Sequence, residues 1–235
     1  MVLRLFHFKF RMKIREIKKK VLKLLEDEAF DRNLENIRQL PERQVINPLF
    51  SFFYHTNELI KWRSITAAGV VVAQLAGKDM ESARVVMRRL IWNLNDESGG
   101  IGWGSPEAMG EIMARHGRLA EEYAHLLVSY IDEKGNFIEH DKLQRGVLWG
   151  VGRLAHARPS LVTYAEPFLP PYMRSEDAVH RAFAAWIAGA IHAQSAIPLL
   201  ERLATDHSTI TIYIGTHLLE RTVGQLAGDA LSILG

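Results

Sequence analysis

The fold is decided by residues 175–206, SEDAVHRAFAAWIAGAIHAQSAIPLLERLATD. This stretch predicts one helix rich in small residues, a short break, and a second helix that opens around Ile197-Pro198-Leu199-Leu200. Pro198 suits the first turn of that second helix, because the N–H group that proline lacks would have no intrahelical partner there. The stretch therefore predicts a pair of helices, and the rest of the chain can be compared with this pair.

The same plan recurs along the chain at intervals of 41, 41, 36 and 40 residues. Four of the five aligned units carry arginine at their second position. Periods in this range are typical of stacked helix pairs, because a single pair cannot bury its apolar face alone. The aligned units are 62–69, 103–110, 144–150, 180–186 and 220–227.

Residues 179–206 follow the pattern V-x-R-x-x-A-A-x-x-x-G-x-I and then A-I-P-L-L-x-x-L. In these motifs the chain resembles the HEAT-like repeat proteins, in particular the phycobilin-lyase type found in small uncharacterised bacterial proteins. The resemblance implies an all-α fold, a right-handed α-solenoid of five to six HEAT-like helix pairs. We expect one domain over 1–235, with a possible extension at 1–11, N-terminal cap helices at 12–40 and repeats over 41–235.

The composition of the 235-residue chain favours an intracellular protein with a continuous core. Hydrophobic residues make up 48% of the chain, and cysteine is absent, so disulfides and thiolate metal sites are excluded. The sequence shows no apolar run approaching the ~20 residues that span a bilayer. We therefore expect a cytoplasmic protein without a transmembrane segment.

Charge is unevenly distributed although the net charge is only +2. Residues 1–23 hold nine Lys or Arg and one acid, Glu16, whereas the remainder has a net charge of −6. Apolar residues from Phe10 to Leu24 recur at helical spacing, which predicts a basic amphipathic helix. Such a helix could contact an anionic surface or nucleic acid. Alternatively, the helix caps the first repeat with its apolar stripe. We favour this interpretation because the net negative charge of the rest of the chain would repel polyanions.

The stretch from Asn95 to Glu107 is the most unusual in the chain, with four glycines. Ser105 and Pro106 predict a helix start, with Ser105 as the N-cap. The glycine spacing matches neither a dinucleotide fingerprint nor a P-loop. Two interpretations remain open. The stretch is a binding site for a ligand or partner, or it is a structural connection whose tryptophan fills the core. The candidate binding residues here are Asp96, Glu97, Trp103 and Glu107.

The repeated arginines Arg63, Arg145, Arg181 and Arg221 also allow two readings. They could line a groove that recognises an acidic partner, and Arg145 and Arg181 are then the candidates. Alternatively, each bonds an acidic side chain or a helix C-terminus of a neighbouring unit, since a guanidinium is a planar multidentate donor. The sequence predicts a last helix over 215–233. The β-prone segment 208–214, STITIYI, interrupts the pattern, and we interpret it as the start of a helix, with its local propensity overridden by packing.

The function that the sequence favours is a non-catalytic scaffold or adaptor with a protein or peptide partner on the concave face. We assign no catalytic residue, metal ligand or cofactor, and we expect a monomer or weak homodimer. HEAT-like metal-dependent hydroxylases use repeated His-Glu pairs, and this chain has no His-Glu dipeptide. The alternative is a nucleic-acid-associated protein, at the extreme a HEAT-like DNA glycosylase, which Trp92 and Asp96 echo loosely. We expect Trp92 in the core instead.

Overall fold

The computed structural model describes residues 14–95 and 102–235, which form twelve α-helices and one β-hairpin. The first six helices are α1 (Ile14–Glu26), α2 (Phe30–Arg38), α3 (Glu42–Phe52), α4 (Glu58–Lys78), α5 (Met80–Asn95) and α6 (Ser105–Arg115). They are followed by α7 (Gly117–Ser129), α8 (Asp141–Ala157), α9 (Leu169–Met173), α10 (Ala178–Ala190) and α11 (Ile197–Leu203). The hairpin strands β1 (Thr209–Ile214) and β2 (His217–Thr222) precede α12 (Val223–Leu234).

The helices stack as six consecutive pairs, and this arrangement confirms the predicted α-solenoid. The even-numbered helices pack on one another in order, α4 on α6, α6 on α8, α8 on α10 and α10 on α12. We call them the inner helices and their shared surface the inner face. The odd-numbered helices lie outside them, and apolar side chains between the two layers form one continuous core. This is the layering expected of helix pairs that bury their apolar faces against neighbours.

Small residues bring the inner helices close together. A Cβ atom added to Gly110 of α6 would lie 2.4 Å from both the Cα and the carbonyl oxygen of Gly150 in α8. One added to Gly189 of α10 would lie 2.9 Å from the Cα of Ala230 in α12. Backbone faces backbone at both crossings, so the glycines set the spacing of the stack.

Helix α4 is the most apolar long element of the described chain. By length and composition alone its 21 residues could cross a membrane. However, 72% of its most apolar window is buried inside the stack. Its neighbours are α1, α2, α3, α5 and α6. The burial of α4 among these helices accounts for its hydropathy.

The N-terminal helix α1 docks its apolar stripe on the stack. Ile17, Val21 and Leu25 are buried, and α1 packs on α3 and α4. The lysines of α1 are exposed to solvent, and Lys18 lies 5.3 Å from the ring centroid of Phe52. Within the described residues, the stripe thus serves as a packing surface. The candidate extension at 1–11 lies outside the residues that the structure describes.

Two segments differ from the sequence expectation. The sequence pattern predicts a helix over 160–172, but the structure has two 3₁₀ turns there, Pro159–Leu161 and Thr163–Phe168, followed by the short α9. Pro167 lies inside the second turn and removes a backbone donor that an α-helix would need. Trp92, expected in the core, is 71% exposed, because α5 buries the opposite side through Ala83, Val86, Met87 and Leu90.

The largest correction concerns the segment interpreted as the start of a helix. Residues 209–214 form β1, which pairs antiparallel with β2 from Thr209 opposite Thr222 to Ile214 opposite His217. The two-residue turn between the strands has positive φ at both positions, 54° at Gly215 and 71° at Thr216. This backbone matches the twist that tight hairpins favour. Arg221 consequently lies on a strand and not at the second position of a repeat helix.

Candidate functional site: the inner face and its hairpin

The hairpin folds back over the inner face and seats Tyr213 between two helices. The Tyr213 ring stacks on Trp62 of α4, with centroids 5.1 Å apart and planes 12° from parallel. Trp149 of α8 lies 4.6 Å from Trp62 and 6.3 Å from Tyr213. Stacked and tilted aromatic pairs at these distances are favourable contacts. The three rings therefore form a cluster that joins α4, α8 and β1, and we call it the aromatic cluster.

Two hydrogen bonds complete the seating of Tyr213. The indole Nε1 of Trp149 donates to the Tyr213 carbonyl oxygen at 3.0 Å. The Tyr213 hydroxyl and the Thr66 hydroxyl share a hydrogen bond of 3.0 Å. Burial raises the pKa of Tyr213 well above its usual range, and the hydrogen bond from Thr66 opposes that shift. Both polar ends of the buried residue thus have partners, as buried polar groups require.

A buried ion cluster lies beside the aromatic cluster on the inner face. Glu111 of α6 has a side chain only 4% exposed, and its carboxylate accepts from Arg115 Nε at 2.6 Å and Arg153 Nε at 2.5 Å. Gly69 of α4 makes room for it, since a Cβ atom there would lie 2.5 Å from Glu111 Cγ. Two guanidinium groups therefore share one carboxylate, and charge-assisted hydrogen bonds of this kind are strong.

Glu107, a candidate from the sequence, lies one turn before Glu111 on the same helix. It is 6% exposed, and its Oε2 atom has no hydrogen-bond partner among the described residues. Its carboxyl group packs under Gly146 of α8, whose added Cβ would lie 2.7 Å from Glu107 Cδ. Burial raises the pKa of Glu107, and the charge of Lys61 opposes that rise. The site thus favours the neutral form of the carboxyl group.

Trp103 lies at the entrance to α6 and is half-buried. It meets His140 edge to face, with centroids 5.4 Å apart, and Lys142 Nζ lies 5.8 Å from its ring centroid. The N-cap of α6 is Gly104, with φ of 75°, and Ser105 is the first helical residue. A Cβ atom at Gly104 would lie 2.8 Å from Phe53 Cβ, which explains why this unit lacks the repeated arginine.

Arg145 and Arg181 each bind an aspartate of the following helix pair. Arg145 Nε donates to Asp177 Oδ2 at 2.7 Å, and Asp177 caps α10. Arg181 donates from Nε to Asp206 Oδ2 at 2.8 Å, and its Nη1 reaches the carbonyl oxygens of Ser175 and Glu176. Both guanidinium groups therefore join consecutive units of the stack.

The candidate residues share a position in the fold. Trp103 and Glu107 lie at the N-terminal end of α6, Arg145 in the second turn of α8, and Arg181 in the first turn of α10. They follow one edge of the inner layer and do not form the floor of the inner face. Asp96 and Glu97 lie outside the residues that the structure describes. Among the described residues, no group of three His, Asp or Glu side chains is placed to hold a metal ion.

Most of the residues that form the inner-face site are not among those predicted from the sequence. Two signals were available, the alternation of apolar residues in 209–213 and the four-residue spacing of Glu107 and Glu111. Such spacing places side chains on one face of a helix. The missed residues are Trp62, Thr66, Glu111, Arg115, Trp149, Arg153 and Tyr213.

Comparisons with known proteins place the chain among helical-repeat folds. No protein-family model matches it. It is 27% identical over 183 residues to an uncharacterized protein from Archaeoglobus fulgidus, covering 76% of this chain and 91% of that protein. An engineered protein superposes with a TM-score of 0.54 at 15% identity, covering 95% of this chain and 97% of its own.

A designed armadillo repeat protein, solved in complex with the peptide (KR)4, superposes with a TM-score of 0.53. Its identity to this chain is 15%, and the match covers 94% of this chain and all of the designed protein. Identities this low show the fold alone. The chain thus has an armadillo-like helical-repeat fold.

Proposed function

We propose that this protein is a non-catalytic scaffold or adaptor that holds an extended segment of a protein or peptide partner on its inner face. One observation supports this proposal above the others, which is that an extended segment, β1, already lies on that face. Its Tyr213 side chain occupies an aromatic cluster and its backbone carbonyl accepts from Trp149. A side-chain pocket combined with a donor to the backbone suits the recognition of an extended chain.

The hairpin leaves part of the inner face open towards the N-terminal end of the stack. Between α2 and α4 lies a cleft of about 580 Å³, bordered by Leu34, Arg38, Val70, Ala73 and Gln74. We call it the open cleft. Gln74 Nε2 donates to the Arg38 carbonyl oxygen at 3.0 Å, so the two walls of the cleft are joined. We assign the partner segment to this cleft, which continues the surface that β1 covers.

Solved structures with a similar fold support the same proposal. A designed armadillo repeat protein is recorded in complex with a peptide, and another is described as designed for modular peptide recognition. Those activities belong to the designed proteins. We extend to this chain only their mode of binding, in which an extended peptide lies on the surface of the repeats. We further infer a HEAT-like repeat of phycobilin-lyase type and bacterial kind, a cytoplasmic location, and a monomer or weak homodimer.

Site-specific photo-crosslinking tests the proposal. A photoreactive amino acid replaces Ala73 in the open cleft or, as the matched control, Glu121, which is exposed on α7 in the outer layer. Both variants are irradiated in lysate from the source organism, with and without nuclease. We expect one discrete protein adduct at position 73, retained after nuclease and absent at position 121. Equal labelling at both positions would contradict the scaffold, and a nuclease-sensitive adduct would favour the nucleic-acid alternative.

A further inference from the structure

A second cavity lies beneath the tip of the hairpin and shares one lining residue, Arg115, with the open cleft. It measures about 360 Å³ and is enclosed by α6, α8, α10 and the turn at Gly215 and Thr216. Its size falls within the range of about 300–1,000 Å³ typical of small-molecule sites. We call it the tip pocket. Arg115 and Arg153 supply its charged side chains together with Glu111.

The charges of the tip pocket do not balance. Glu111 offers one carboxylate, and each arginine uses only its Nε atom to bind it. The Nη atoms of Arg115 and Arg153 have no hydrogen-bond partner in the part of the chain that the structure describes. Burial lowers the pKa of His156, the other titratable base in the pocket. One positive charge and a set of unused N–H donors therefore remain.

The walls of the tip pocket are flat and aromatic. Trp186 stacks on His156, with ring centroids 4.6 Å apart and planes 25° from parallel. Trp186 packs over Gly152, where an added Cβ would lie 2.4 Å from the indole carbon Cε3. Trp149 and Tyr213 also line the pocket. A ligand in this space would therefore meet ring faces on its body and guanidinium groups at one end.

We propose that the tip pocket binds a small organic anion, with one carboxylate or phosphate group on a flat apolar body. The Nη atoms of Arg115 and Arg153 bind the anionic group, because a planar guanidinium matches the oxygens of a carboxylate or phosphate. The apolar body lies against Trp186 and the hairpin turn. This site goes beyond the scaffold function, since the tip pocket and the open cleft share Arg115 but differ in the other residues that line them.

Calorimetric titration of the 235-residue chain tests the proposal with three matched probes. These are 2-naphthoate, 2-naphthyl phosphate and the neutral 2-naphthalenemethanol. We expect at least one anion to bind with 1:1 stoichiometry and at least ~10-fold more tightly than the neutral probe, as charge-assisted hydrogen bonds imply. The preferred anion then identifies the group that the site recognises. If neither anion binds more tightly than the alcohol, the proposal is wrong.

A conservative variant locates the binding. Arg153→Lys keeps a positive charge beside Glu111 but removes the planar fork, so we expect the anion affinity to fall about 10-fold with the alcohol unaffected. Arg118→Lys is the control, because Arg118 is exposed on α7 and pairs with Glu122 at 3.4 Å. Should Arg153→Lys fail to fold, Arg115→Lys replaces it. Equal affinities in the pocket variant and the control would overturn the assignment, whatever the crosslinking at position 73 shows.

Discussion

Trp149 donates its indole N–H to the backbone carbonyl of Tyr213, which lies 64 residues later in the chain. The bond joins the middle of the solenoid to a hairpin inserted in its last pair. The same Tyr213 reaches Thr66, 147 residues earlier. One residue therefore connects the second, fourth and sixth helix pairs, and its contribution to stability can be measured directly.

The hydroxyl pair of Tyr213 and Thr66 should show energetic coupling. We expect Tyr213→Phe and Thr66→Val each to lower the free energy of unfolding by about 1 kcal/mol, because each leaves a buried hydroxyl or its partner unsatisfied. The double variant should cost less than the sum by at least ~0.5 kcal/mol. Urea denaturation of the four proteins measures this coupling. Tyr164→Phe, at an exposed tyrosine, is the control and should be nearly neutral, whereas additive costs would contradict the contact.

The buried carboxyl of Glu107 should make stability depend on pH. Burial raises its pKa above the ordinary value of 4.5, so the folded state retains a proton that the unfolded chain releases. The free energy of unfolding therefore falls as pH rises from about 4.5 through the folded pKa, by up to about 1.4 kcal/mol per pH unit.

The variant Glu107→Gln removes this titration and keeps the shape of the side chain. We expect its stability relative to the native chain to be greater at pH 8 than at pH 5, measured by urea denaturation at both values. Glu121→Gln, on the exposed surface of α7, provides the comparison and should show no such trend. A stability difference for Glu107→Gln that is the same at both pH values would argue against a perturbed carboxyl.

The close crossing of α6 and α8 should not tolerate a methyl group. In Gly110→Ala the new Cβ would meet the backbone of Gly150 at 2.4 Å, and we expect a loss of about 1–3 kcal/mol from overpacking. Gly228→Ala is the matched control, since an added Cβ there meets nothing within 4 Å. It should stabilise α12 by about 0.5–1 kcal/mol, because alanine is the better helix former. Thermal denaturation distinguishes the opposite signs.

Arg181 and Arg145 should contribute differently to stability, although they occupy equivalent positions in the repeat. The Arg181 side chain is 16% exposed and that of Arg145 is 45% exposed. We expect Arg181→Ala to cost about 2–3 kcal/mol through its lost charge-assisted bonds. Arg145→Ala should cost less than about 1 kcal/mol, as exposed ion pairs do. Denaturation midpoints test the order, and equal losses would mean that burial does not separate the two arginines.

The solenoid could be predicted from the sequence because each helix pair is encoded locally. Alanine-rich second helices and prolines in first turns identify pairs such as 175–206 without knowledge of distant contacts. The hairpin could not be predicted in this way, since β1 is stabilised by Trp62 and Trp149, far away in the chain. Likewise, periodicity placed Trp92 in an apolar run, but only the packing of α5 decides which side faces the core. Whether Trp103, Glu107, Arg145 and Arg181 bind a partner stays a prediction.

The seating of Tyr213 has a consequence for how the chain unfolds. Solenoids are quasi-one-dimensional, and their stability is approximately a sum of units and nearest-neighbour interfaces, so they can fray from either end. Here the hairpin of the sixth pair is hydrogen-bonded to the second and fourth pairs. The pairs between them are therefore held by these long-range contacts as well as by their neighbours. The intervening pairs cannot open one at a time unless β1 leaves the inner face. A chain built from repeats should consequently unfold over this region as a single cooperative unit.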